Sequence, residues 1–141
     1  MSPFLRPGDH LTVRGVGAAE LRLGDIIIVQ SGERWLSHRL IECRVVDGQT
    51  WLTTKGDNCL ATDQAMPAAR LAGVVESVER GSRRANLQSR RARWANALLA
   101  RVSRGQAQVA HLSGNRMWRI ILKATRLAMR IGAVAVWRLV R

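Results

Sequence analysis

Two apolar, β-branched runs that meet at Asp47-Gly48 constrain the fold of this chain more than any other feature. Residues 35–46 (WLSHRLIECRVV) and 49–55 (QTWLTTK) each suit a strand. Asp-Gly between two such runs is a strong signal for a two-residue hairpin turn, whose central positions both need positive φ. Residues 26–30 (IIIVQ) are continuously apolar, as a strand buried on both faces would be. Residues 11–14 and 71–78 add two more strand candidates, the second entered after Pro67. Short strands at this spacing predict a mainly β fold, a small curved antiparallel sheet or partial barrel.

Charge divides the chain near residue 80. All ten acidic residues lie between Asp9 and Glu79, whereas residues 81–141 hold fourteen of the 23 Lys and Arg and no acid. The formal net charge of +13 therefore belongs almost wholly to the second part. Two units are expected: 1–80, a nearly neutral core, and 81–141, a cationic helical tail. Such a tail seeks polyanions, either anionic lipid head groups or nucleic acid.

Within the tail, Leu87, Trp94, Leu98 and Val102 recur at roughly helical spacing and predict a helix over 83–103. Gly105 and Ser113-Gly114-Asn115 mark a linker over 106–115. A second helix is expected over 116–141. There Arg116, Arg119, Lys123, Arg126 and Arg130 fall on one stripe, making both C-terminal helices basic and amphipathic. The longest uncharged stretch of that segment is residues 131–137, far short of the ~20 apolar residues of a spanning helix. An Arg at the bilayer centre costs at least ~2.5 kcal/mol. Peripheral attachment to an anionic membrane surface through residues 116–141 is therefore expected, on an otherwise cytoplasmic protein. A helix packed on the core with a solvated basic face is the alternative. Nucleic acid is the weaker partner, because no recognised binding motif accompanies the charge.

Cys43 and Cys59 lack C-x-x-C spacing and read as unpaired thiols in the core or at the edge of a site. Nothing in the sequence calls for a metal or a cofactor. The opening MSPFLRPGDH has no apolar run of the kind a signal peptide or membrane anchor needs.

Four short motifs follow one another in the first 80 residues. They are Met1-Ser-Pro-Phe-Leu-Arg-Pro-Gly-Asp9, Leu21-Arg-Leu-Gly-Asp25 ahead of the apolar run, Ser37-His38-Arg39, and Thr54-Lys-Gly-Asp-Asn58 with Asp63 beyond it. Each alone is weak. A Gly-Asp pair before a strand is usually a turn, and a lone His in a strand is more often structural than catalytic.

As an ordered set they resemble the signal peptidase I family of serine peptidases, in its archaeal and endoplasmic-reticulum form. That family reads Ser-Met-x-Pro-x-x-x-x-Gly-Asp, a second Gly-Asp before an apolar strand, His-Arg, and Lys-Gly-Asp-Asn with a later Asp. The resemblance covers about residues 1–80 and not the tail. It implies a fold of the signal-peptidase/LexA-like type. It also implies a serine endopeptidase that removes signal or leader peptides from exported precursors, with no metal.

Carried over, His38 is the general base and Asp63 the acid that orients it, with Asp57 second in line for that role. Pro3, Phe4 and Ser37 are the residues expected beside the substrate strand. The related self-cleaving repressor peptidases use a Ser-Lys dyad, and His38 at the base position argues against that group.

The family's nucleophile directly precedes the methionine matched by Met1, so the chain as given lacks it. A start further upstream, with Met1 internal, is the expected explanation. A non-catalytic, peptide-binding relative is the competing one. Ser2 is the nearest substitute. On an extended segment it points the same way but sits roughly 7 Å further along, too far to act in place without rearrangement.

Overall fold

The computed structural model describes residues 5–59 and 61–112. Within them seven antiparallel strands form one open sheet, and one long helix lies against it. The strands are β1 (His10–Arg14), β2 (Ile26–Ser31), β3 (Arg34–Val46), β4 (Gln49–Lys55), β5 (Met66–Pro67), β6 (Leu71–Arg80) and β7 (Arg83–Asn86). The helix is α1 (Arg90–Leu112). Spatial order is β1-β6-β2-β3-β4-β5. β7 pairs with β6 over residues that β1 flanks on the other side, so β7 continues the line of β2 along one edge of β6.

The hairpin forms where its turn residues require it. Asp47 has φ 51° and Gly48 φ 74°, the paired positive values of a two-residue turn, and Val46 faces Gln49 across it. β2 is buried on both faces. Ile26 joins a cluster with Val75, Val78, Leu87 and Leu99, while Ile27 and Val29 join Leu40, Leu52, Met66 and Val74 on the other side. Alternation along the strand sends successive residues into two different cores, which is why no polar residue interrupts the run. Leu52 is fully buried, so its truncation to alanine costs about 2–5 kcal/mol.

Helix α1 can approach the sheet because of one glycine. A Cβ placed on Gly24 would fall 2.4 Å from the backbone carbon and oxygen of Asn96, and Gly24 has φ +95°. Both conditions exclude other residues there. The helix completes the fit with a buried face on which small and polar residues, Ala92, Asn96, Ala100, Ser103, Gln106 and Ala107, surround Leu99. Trp94, Leu98 and Val102, whose spacing marks the helix in the sequence, lie on its exposed side.

The elements differ from expectation in three places. Strands β5 and β7 are additional. The helix expected over 83–103 begins only at Arg90, because residues 83–86 pair with β6 and bury Ala85. The linker expected over 106–115 is helical as far as Leu112: Gln106 and Ala107 are buried, and the tertiary contact overrides the glycine at 105. The helix expected over 116–141 lies outside the described residues. Among the described residues no helix is long and apolar enough to cross a membrane.

Candidate active site

The second, third and fourth motifs of the first half converge on β3 and the turn after β4. Alternation along β3 sends His38 to the face of Leu40 and Leu52, and Arg39 to the face covered by α1. β4 runs beside β3 and brings Thr54 opposite Leu40. The chain then turns back so that the Asp63 amide donates to the Thr54 carbonyl at 2.8 Å.

The side chains close the same loop. The Thr54 hydroxyl donates to Asp63 Oδ2 at 2.6 Å, and His38 Nδ1 lies 2.5 Å from that oxygen. With the proton on Nδ1, His38 donates to Asp63 and the other ring nitrogen, Nε2, is left as an acceptor. Burial pushes the Asp63 carboxyl up. The hydrogen bonds from His38 and Thr54, with the charges of His38 and Lys55, outweigh it and hold the group below the ordinary carboxylate range. Asp63 is thus an anion fixed by two donors beside a partly exposed imidazole.

Nε2 faces the turn after β4. A Cβ built on Gly56 would lie 3.3 Å from His38 Nε2 and 3.0 Å from Cys59 Sγ, so the ring edge and the thiol flank the space that glycine leaves open. The turn closes through the Cys59 amide, which donates to the Gly56 carbonyl at 2.9 Å. Cys59 and Cys43 are both unpaired and exposed. A hydroxyl brought within about 3 Å of Nε2 would find a base whose far side is already held by a carboxylate.

Asp57 has a different partner from the one expected. It takes a two-pronged hydrogen bond from Arg39, Nε to Oδ1 at 2.8 Å and a terminal nitrogen to Oδ2 at 2.9 Å, and both side chains are sealed from solvent. The other guanidinium nitrogen donates to the Gly24 carbonyl and to Asn96 Oδ1, each at 2.9 Å. The second, third and fourth motifs and helix α1 are therefore joined by a single arginine. Lys55 is also fully buried, with Nζ 3.4 Å from Gln106 Oε1.

The aspartates of the two Gly-Asp pairs lie apart from His38 and Asp63 and have partners of their own. Arg80 holds Asp9 by two bonds of 2.7 and 2.6 Å, and this pairing, with the Arg6 amide, keeps the Asp9 carboxyl low despite burial. Asp25 accepts from the Arg22 amide at 2.8 Å, yet burial dominates and raises its pKa.

Of the residues expected at the site, the structure brings His38 and Asp63 together and assigns Asp57 to Arg39. Ser37 points to the face opposite His38, where its buried hydroxyl has no hydrogen-bond partner among the described residues. Ser2, Pro3 and Phe4 lie outside the described residues. Thr54 and Asn96 were not singled out in the sequence. Thr54 heads the fourth motif and was open to notice, whereas Asn96 carries no signal outside the folded chain. Among the described residues no group of three or more His, Cys, Asp or Glu is placed to hold a metal.

Comparison with protein-family models, curated proteins and solved structures finds no match to this chain.

Proposed function

We propose that this chain is the core of a serine endopeptidase of the signal peptidase type, which removes signal or leader peptides from exported precursors. The observation that carries this is the His38–Asp63 pair, held at Nδ1 with Nε2 beside Gly56 of the turn after β4. The order of the four motifs supports it independently.

In this reaction a serine oxygen attacks the peptide carbonyl while Nε2 of His38 takes the hydroxyl proton. Asp63 stabilises the imidazolium, which then gives the proton to the leaving amine. The resemblance puts the attacking serine directly before Met1. Substrate would lie as an extended strand, with main-chain hydrogen bonds supplying affinity and shallow pockets supplying selectivity. On the same proposal the open sheet is a member of the signal-peptidase/LexA-like type. A second basic helix over 116–141 would hold it to an anionic membrane face.

The experiment is to prepare the protein with a serine directly ahead of Met1 and to incubate it with secretory precursors carrying small residues at the junction. Cleavage at the junction, lost in His38→Ala, is the expected result. Failure to cut any such precursor defeats the proposal. Peptide binding that survives His38→Ala without turnover would establish a binding module in its place.

A further inference from the structure

We propose that the outward face of α1 is a docking surface for an anionic lipid bilayer. Trp94, Leu98 and Val102 follow at intervals of four residues, so they form one ridge along the helix, about 12 Å from first to last. They are 73%, 46% and 40% exposed. The opposite side of the helix meets the sheet through Ala92, Asn96, Leu99, Ser103 and Gln106. The helix thus buries one large apolar side chain, Leu99, among small and polar neighbours, and turns Trp94, Leu98 and Val102 outward. A helix that served only its own sheet would not leave three large apolar side chains in a row on its solvent side.

Cations border the ridge. Arg90, Arg91 and Arg101 are exposed and make no ion pair among the described residues. Arg104, also exposed, is tied back to Glu42, and Arg93 to Gln88. The helix contains no Asp or Glu to neutralise them. An apolar ridge between unpaired arginines complements a surface with anionic head groups above an acyl layer. Trp94, Leu98 and Val102 enter the boundary and the guanidinium groups meet phosphates.

A nucleic-acid backbone would satisfy the arginines but offers nothing to Leu98 and Val102, so the bilayer is favoured. The arginines also fix the helix in the plane of the membrane, in keeping with the lack of a spanning helix among the described residues. Arg39 reaches α1 whereas His38 lies on the other side of the sheet. A domain seated on α1 therefore keeps the His38 face turned away from the lipid. This docking does not depend on the peptidase proposal.

The test is co-sedimentation of the full chain with vesicles of phosphatidylcholine alone and of phosphatidylcholine mixed with phosphatidylglycerol. Binding only to the anionic vesicles, weakened by high salt, is expected. The double variant Trp94→Ser/Leu98→Ser should fold normally, because both side chains are exposed, and should bind at least about tenfold more weakly. Arg91→Glu/Arg101→Glu, which leaves the apolar ridge intact, should weaken binding as well. The proposal is overturned if the wild type ignores anionic vesicles or if both double variants bind as it does, which would move the contact to residues 113–141. It is equally overturned if the serine variant only abolishes self-association, or only abolishes binding to duplex DNA.

Discussion

His38 and Arg39 are adjacent on β3 and serve opposite faces of the sheet. His38 meets Asp63 on one side, while Arg39 is buried against Asp57, Gly24 and Asn96 on the other. The two residues of one short motif thus divide between a partly exposed acid–base pair and a sealed structural joint. A substitution at one should be read without reference to the other.

Breaking the Arg39–Asp57 joint leaves a charge buried without its partner, which costs about 3–5 kcal/mol. Asp57→Ala and Arg39→Ala should each lose that much in urea unfolding. Arg39→Met/Asp57→Leu, which removes both charges, should lose less than either. A loss below about 1 kcal/mol for Asp57→Ala would show that the pair is not sealed as described.

Two glycines with similar backbone angles should respond differently to alanine. Gly8 has φ +86° with open space where a Cβ would go, so Gly8→Ala carries only the backbone strain, roughly 1 kcal/mol. Gly24→Ala adds a collision with the Asn96 backbone and should cost at least about 2 kcal/mol more by moving α1. Thermal unfolding of the pair reads the difference. Equal losses would place α1 further from the sheet.

Thr54→Val removes one of the two side-chain donors to Asp63 Oδ2 while keeping the shape of the side chain. Stability should fall by about 1.5 kcal/mol, and the Asp63 carboxyl should titrate at higher pH than in the wild type. NMR of the labelled carboxyl carbon measures the shift directly. An unchanged titration would mean that His38 alone holds the anion.

The acid response follows from three aspartates. Asp63 and Asp9 have lowered pKa values in the folded state. Their stabilisation is complete above the unfolded value of about 3.9 and is lost as pH falls through the folded value. Asp25 is raised, so the folded protein binds its proton more tightly and its contribution grows as pH falls. Asp63→Asn and Asp9→Asn should therefore flatten the acid limb of the stability profile, and Asp25→Asn should raise the melting temperature at neutral pH. A steeper acid limb in Asp63→Asn would reverse the sign assigned here.

The hairpin and β2 were legible in the sequence because their signals are local: a turn dipeptide with a required φ, and an apolar run with no polar interruption. Strand β7 was not. Arg83-Arg84-Ala85-Asn86 has no strand character of its own and becomes a strand by pairing with β6 across the Gly81-Ser82 turn. The extent of α1 was hidden likewise, since burial of Gln106 beside Lys55 decides what Gly105 alone would argue against. At the site, His38 and Asp63 were legible through motif order. The partner of Asp57 was not, because Arg39 is nearest to His38 in sequence and yet faces away from it.

The central measurement is a double-mutant cycle on His38 and Asp63 in the serine-extended protein, read as kcat/KM on a cleavable precursor. Residues that act as one unit lose their contribution together. His38→Ala and Asp63→Ala should each lower kcat/KM by about 10³–10⁴-fold, and the double variant should be little worse than His38→Ala alone. Full activity in either single variant, or losses that multiply in the double, would contradict a His38–Asp63 catalytic pair.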